Sequence, residues 1–309
     1  MSELENSPAF LTTKEVAALL RVKERKVYDM AAEGEIPCRR LTGKLLFPRQ
    51  ELESWLSGAP APATTAAATG DGPTSGTWSV ARADIIAGSH DPLLDWAIRE
   101  SGSGLASFFD GSLDGLTRVA AGKAAAAGVH IFETGHDGWN RDHVAAELAE
   151  RPVVLVEWAK RQRGLIVAAG SEREITEIGD LRGRRLVQRQ PTAGTAVLLQ
   201  HLLETAGVER GAVTLLPELA RTEPDAAAAV AAGQADAALG LQSMARQFGL
   251  PFVATIEERF DLIIDRRSWF EPPLQKLFAF SRTAAFAEKA EALGGYDIAG
   301  LGEVHWNGP

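Results

Sequence analysis

The sequence has a single cysteine, Cys38, in 309 residues. One cysteine excludes an internal disulfide, and no paired-cysteine or cysteine–histidine cluster offers a zinc site. The six histidines, His90, His130, His136, His143, His201 and His305, show no metal-ligand spacing such as HExxH, and no nucleophile motif is present. No run reaches the ~18 apolar residues of a membrane span. The start, Met1 to Phe10, is acidic and polar, unlike a secretory signal. A cytoplasmic protein with no membrane partner, no metal, no cofactor and no catalytic residue is the expectation. Surplus positive charge is also lacking, since the formal net charge is −9.

What is present is organised in two blocks. Residues 57–77 consist almost wholly of Ala, Pro, Thr, Gly and Ser, with Asp71 as the one charge. They have nothing large to bury and no periodicity, so they read as a flexible linker with an end-to-end distance of about 25 Å. This predicts a module at 1–56 and a larger domain at 78–309. Residues 1–56 hold nine basic and nine acidic side chains, so all of the net charge falls beyond them. Between Arg21 and Arg49, however, eight basic residues face four acidic ones, which suits contact with phosphate.

In the first block, Thr12 or Thr13 can cap a helix carrying Val16, Ala17, Leu19 and Leu20. A second helix is expected from about Glu24 to Glu33, stopped by Gly34. Two extended pieces, Ile36–Arg40 and Leu45–Phe47, form a wing turning at Gly43. A third helix, Arg49 to Leu56, should pack back through Leu52, Trp55 and Leu56. Short helices joined by a tight turn make a helix-turn-helix. The opening Leu11-Thr12-Thr13 with Glu15-Val16-Ala17, then Tyr28, the Gly34–Pro37 turn and the closing Glu51–Leu56 resemble the excisionase-type, MerR-like winged helix-turn-helix family. That resemblance implies binding to double-stranded operator DNA. Lys23, Arg25, Lys26 and Tyr28 would face the major groove, and Arg39, Arg40 and Lys44 the backbone or minor groove.

Beyond the linker, apolar runs alternate with helical patterns. Strands are expected at Asp84–Ala87, Leu105–Phe109, Gly128–Phe132, Val153–Glu157, Gly164–Ala169, Arg185–Gln188, Val213–Pro217, Ala235–Leu239, Phe252–Thr255 and Phe260–Ile264. Helices are expected at Pro92–Ser101, Asp114–Ala127, His143–Glu150, Thr195–Ala206 and Asp225–Ala232. The alternation predicts an α/β fold with parallel sheets, long enough for two lobes. Three loops follow strands and precede helices: Gly88–Asp91, Asp110–Ser112 and Gln190–Thr195. Such loops bind ligands at the carboxyl ends of strands, where helix N-termini favour anions.

Gly88–Asp95, Gly111–Leu116 and Arg189–Thr195, together with Ala127–Ile131, Arg161–Val167, Val230–Ala237 and Gly294–Tyr296, resemble the substrate-binding-protein-like domain related to molybdate-binding proteins. The fold implied is an N-terminal all-α winged helix-turn-helix plus an α/β two-lobed type II periplasmic-binding-protein-like domain. The ligand residues it implies are Ser89, His90, Gly111, Ser112, His130, Gln188, Thr192, Gly194 and Thr195. Ala193, Ala196 and Phe260 stand where relatives would have Ser, Arg and Tyr, which tells against molybdate or tungstate. The expected function is a ligand-responsive, homodimeric DNA-binding regulator with a small anion or metabolite as effector. The rival readings are a ligand-free scaffold that only oligomerises the head, and an enzyme on the binding-protein fold.

Overall fold

The structure is a computed structural model that describes residues 10–32, 36–41, 44–49, 52, 84–135 and 138–309. The chain divides into two compact units, Met1–Thr77 and Trp78–Pro309. The expected linker at 57–77 and nearly all of the expected helix at 49–56 lie outside the described residues.

The first unit opens with strand β1 (Phe10–Thr12) and helix α1 (Thr13–Leu20). Thr12 caps α1 in a reciprocal box: Glu15 N–H donates to its hydroxyl, and Thr12 N–H donates to the Glu15 carboxylate at 2.7 Å. The turn passes through Arg21 at φ 55°, and helix α2 runs Glu24–Ala32. Strands β2 (Arg39–Leu41) and β3 (Lys44–Pro48) form the wing hairpin. Strand β1, unforeseen in the sequence, pairs with the free edge of β3 and makes a three-stranded sheet in this otherwise helical module. Leu11, Val16, Val27, Ile36, Phe47 and Leu52 meet in one core.

The second unit begins with β4 (Ile85–Gly88), α3 (Pro92–Glu100), β5 (Ala106–Phe109), α4 (Ser112–Ala120) and β6 (Ala126–Val129). β4 pairs in parallel with both β5 and β6. The helix expected at Asp114–Ala127 stops early. Gly122 turns the chain at φ 68°, and the alanine run that follows enters the sheet. Alanine favours helix intrinsically, but close sheet packing overrides that preference. A small hairpin of β7 (Phe132–Glu133) and β8 (Gly138–Trp139) leads to α5 (Arg141–Glu147).

Strand β9 then runs from Val153 to Val167. After it come β10 (Arg185–Arg189), α6 (Gly194–Thr205), β11 (Thr214–Ala220), α7 (Glu223–Ala231), β12 (Ala237–Leu241) and α8 (Gln242–Phe248). β10 lies in parallel between β11 and β12. Strand β13 (Phe252–Asp265) returns, followed by α9 (Arg266–Trp269), α10 (Pro272–Phe280), α11 (Ala284–Leu293), β14 (Tyr296–Asp297) and β15 (Val304–Asn307).

β9 and β13 are antiparallel partners over most of their length. β12 pairs with residues 163–167 of β9, whereas β6 pairs with residues 261–264 of β13. The two long strands therefore carry the chain from one parallel half to the other and back. The β4–β6 half is lobe one and the β10–β12 half is lobe two. The sequence suggested a break in each long strand, at the charged stretches around 158–163 and 256–259. Both strands continue through these stretches, with the register shifting at Ala254/Ile256 and Phe260/Asp261.

Candidate functional site

The charged stretches meet at the crossing. Arg161 and Arg163 are two residues apart and so share a face of β9. Arg161 lies directly across from Glu258 of β13. Arg161 donates to Asp91 at 2.9 Å and to Glu258 at 2.5 Å. Arg163 donates to Glu258 at 2.6 Å and to Glu223 at 2.9 Å, and Arg189 reaches Glu223 at 3.1 Å. The six side chains form one alternating row, Asp91–Arg161–Glu258–Arg163–Glu223–Arg189, all buried. Three guanidiniums face three carboxylates, so the row is neutral.

Its electrostatics follow from that alternation. Burial alone would raise the Glu258 carboxyl, but Arg161 and Arg163 outweigh it and hold it well below the usual range. Glu223 is likewise pushed up by burial and brought down by Arg163 and Arg189 to about 2. At the far end, Asp91 accepts from Tyr296 Oη at 2.7 Å and from Leu94 N–H at 2.7 Å as the cap of α3. Burial, with Asp91 next, raises the Tyr296 phenol well above its ordinary value, so it stays a donor.

His130 Nδ1 lies 3.0 Å from Glu258. Burial lowers its pKa against the pull of Glu258, which favours a neutral ring. Phe260 packs against that ring at 6.1 Å and lies under Arg161 at 4.2 Å. A phenylalanine thus fills, with apolar contact and cation–π attraction, the place where the resemblance called for a tyrosine.

The ligand residues expected from sequence gather around this row, but most of their polar groups are already partnered. The Ser89 and Ser112 hydroxyls bond each other at 2.9 Å, and Ser112 Oγ accepts from His130 N–H at 3.1 Å. Gly111 N–H donates to the Gly88 carbonyl. Thr192 donates its hydroxyl to the Asp110 carbonyl at 2.8 Å, and its own carbonyl accepts from Leu113 N–H at 3.1 Å. Those two bonds join lobe two to lobe one. Arg221 adds an ion pair to Asp110 at 2.6 Å. Gly194 sits so close to His130 that a Cβ would fall 2.2 Å from its carbonyl oxygen. The lobes are therefore closed on each other. His90 Nδ1 and Thr195 Oγ1 are buried without a hydrogen-bond partner. Gln188 is half-buried at the edge of a cavity in lobe two.

Sequence reasoning held several members within family marks, Asp91 in Gly88–Asp95, Arg161 and Arg163 in Arg161–Val167 and Arg189 in Arg189–Thr195, but missed the row that joins them. The signal was the i, i+2 pair Arg161 and Arg163 beside an apolar run. Elsewhere, Glu157, Glu303 and His305 bring ligand-type atoms within 4.8 Å of one another, and His305 Nε2 pairs with Glu157 at 2.7 Å.

In the first unit Lys23, Arg25 and Lys26 are exposed at the start of α2. Arg39 and Arg40 belong to β2 and Lys44 opens β3. The side chains of Tyr28, Arg39, Arg40 and Lys44 lie outside the described residues. No helix among the described residues is long and apolar enough to cross a membrane.

Comparison with known proteins matches both units. Residues 10–60 match the family model of a helix-turn-helix domain, and residues 96–282 that of the PBP superfamily domain. The uncharacterized protein YvgK of Bacillus subtilis (strain 168) is 24% identical, over 97% of this chain and 98% of its own. A phosphate-bound substrate-binding protein from Clostridium perfringens is similar at 11% identity and a TM-score of 0.49, covering 68% of this chain and 96% of that one. The sulfate-binding protein SubI from Mycobacterium tuberculosis H37Rv is 14% identical with a TM-score of 0.48, covering 69% and 85%. With its family model spanning more than half the sequence, the chain belongs to the PBP superfamily, and it carries a helix-turn-helix domain ahead of the binding-protein fold.

Proposed function

We propose that this protein is a cytoplasmic, ligand-responsive transcription regulator and not an enzyme. The helix-turn-helix unit binds operator DNA through Lys23, Arg25, Lys26, Tyr28, Arg39, Arg40 and Lys44. The two-lobed unit senses a small anion or metabolite between its lobes. The observation that carries this reading is one chain holding a helix-turn-helix head and a binding-protein domain whose lobes, joined by the crossing strands and the buried ion row, close on each other at the rim. A few hydrogen bonds from Thr192 and an exposed ion pair at Arg221 can be exchanged for ligand contacts at little cost. Ligand contacts would come from Ser89, His90, Gly111, Ser112, His130, Gln188, Thr192, Gly194 and Thr195, several of which must release present partners on opening. The replacements at Ala193, Ala196 and Phe260 remove polar groups that a simple tetrahedral oxyanion would use.

A homodimer is part of this reading, because one small head offers little interface and paired half-sites multiply affinity. Sedimentation of the protein alone and on DNA reads it directly. A second reading rests on the same closed cleft. Because its own side chains already satisfy most of its polar groups, the domain could act as a ligand-free scaffold for the heads.

The deciding experiment has two steps. Thermal midpoints are measured with molybdate, tungstate, sulfate, phosphate, amino acids and small organic acids, since a ligand of the folded state raises the midpoint. Each stabilising compound is then added to the protein bound to a DNA fragment from upstream of its own gene. A compound that raises the midpoint and shifts DNA affinity supports the sensor. DNA binding that no stabilising compound alters leaves the scaffold, and no DNA binding at all removes both readings.

A further inference from the structure

The ion row ends unevenly. Each of its four interior members touches two opposite charges, and Asp91 at one end is completed by Tyr296 and Leu94. Arg189, at the other end, touches one carboxylate, Glu223. Its Nη2 goes to the Arg221 carbonyl at 3.2 Å, while its Nε is buried with no partner. Thr195, 1% exposed, also has a buried hydroxyl without a partner. Unpaired buried donors of this kind are costly; Arg161 Nε and Arg163 Nη1 share the condition, but of these four residues Arg189 and Thr195 are the ones that border a cavity.

Arg189 and Thr195 both line a cavity of about 500 Å³. That volume is within the range of small-molecule sites. Its other walls are largely apolar: Leu199 and Leu203 from α6, Val213 and Leu215 near β11, Val187 of β10 and Leu239 of β12. Every one belongs to lobe two, so that lobe alone builds the cavity, although Gln188 and Thr195 in its wall are also among the residues proposed for the interlobe cleft. Glu204, Glu209 and Arg210, also among its lining residues, are exposed, and water screens their charge.

We propose that this cavity is a binding site for a small monocarboxylate with an apolar body. Its carboxylate caps the ion row at Arg189 Nε and Thr195 Oγ1, and its hydrocarbon lies between α6 and β11. The carboxylate becomes the seventh member of the alternating row and gives Arg189 the second anion that the interior arginines have. The apolar walls supply the binding area, and the buried guanidinium selects for the charged head. The site requires nothing of the DNA-binding reading, because lobe two alone builds it.

The test is calorimetry on the full chain with octanoate, its neutral counterpart octanamide, and acetate as a head group without a body. Octanoate is expected to bind at least tenfold more tightly than octanamide, and acetate to show no binding at millimolar concentration. Arg189→Lys, which keeps the charge but loses Nε, should weaken octanoate at least tenfold and leave octanamide unchanged. Ala196→Phe, placing a ring in the cavity, should abolish binding of both. Equal affinity for octanoate and octanamide overturns the proposal, as does failure of octanoate to bind the unmodified protein at millimolar concentration. Those two outcomes are read on the unmodified protein, so they stand even where a variant misfolds. Loss of DNA binding with octanoate binding intact would count against the regulator reading alone.

Discussion

Arg163 and Arg189 hold the same oxygen of Glu223, at 2.9 and 3.1 Å. One arginine is on the strand that crosses between lobes, and the other ends a strand of lobe two. Glu223, the first residue of α7, therefore ties the crossing to lobe two through a single buried atom. Removing charges from water costs several kcal/mol per ion, and the row persists because each interior ion has two opposite neighbours. Such a row is sensitive to the loss of any one member.

Glu258 is the member with most to lose. It is fully buried and pairs with Arg161, Arg163 and His130. Glu258→Gln keeps the shape but leaves two guanidiniums facing a neutral amide. A loss of about 3–5 kcal/mol in unfolding free energy is expected, the usual cost of breaking a buried pair. Urea denaturation of the two proteins measures it, and a change below about 1 kcal/mol would show that water reaches the row.

Acid should weaken the domain in two stages. His130 and His90 have pKa values lowered chiefly by burial; Glu258 opposes the shift at His130, and Asp91 and Glu223 oppose it at His90. The unfolded chain therefore binds protons at these histidines more readily than the folded one. Stability is full above about pH 6.5 and declines below it. Glu223, lowered to about 2 from an ordinary 4.5, is the usual carboxylate case. Its contribution, on the order of 3 kcal/mol, is present above pH 4.5 and lost as pH falls toward 2. Thermal midpoints from about pH 8 down to about pH 2 should fall below about 6.5 and again below about 4.5, and His130→Gln should flatten the first stage.

The alternation of strands and helices was readable because burial imprints apolar runs on a parallel sheet. A cap at Thr12 or Thr13 and the helix starting near Gly194 were equally plain. The middles of β9 and β13 were not, because Lys160–Arg163 and Glu257–Arg259 look like solvated breaks. Yet Arg161, Arg163 and Glu258 within them are buried against partners up to 128 residues away, as Glu258 is against His130. Pairing at that separation leaves no local trace. For the same reason the loop hydroxyls at Ser89, Ser112 and Thr192 read as free ligand donors, whereas in the closed lobes they bond one another and the facing backbone.

Lys23, Arg25 and Lys26 project from the start of α2 into solvent. If they neutralise three phosphates, replacing all three by alanine should reduce the salt dependence of DNA binding by about 2–3 in the slope of log affinity against log salt. The corresponding loss at moderate salt is roughly tenfold or more. Fluorescence anisotropy at several salt concentrations gives both numbers. An unchanged slope would place the phosphate contacts elsewhere, with Arg39, Arg40 and Lys44 the next candidates.

Gly194 offers a way to open the lobes without disturbing either one. It is the first residue of α6, and its backbone is not in the left-handed region, so alanine is conformationally acceptable there and favours helix by up to about 1 kcal/mol. The obstacle is across the cleft, where the new Cβ would lie 2.2 Å from the His130 carbonyl oxygen of lobe one. That carbonyl is backbone, one residue past the end of β6, so relief comes most easily by separating the lobes. The Leu113 amide reports the separation. It lies in the first turn of α4, where no intrahelical acceptor exists, and donates instead to the Thr192 carbonyl of lobe two. In Gly194→Ala, hydrogen exchange at Leu113 should quicken at least tenfold. Amides inside β10 and β12 should keep their protection, because lobe two stays folded. Slowed or unchanged exchange at Leu113 would mean that the closed form absorbs the methyl group, and that the rim contacts at Thr192 and Arg221 are stronger than their exposure suggests.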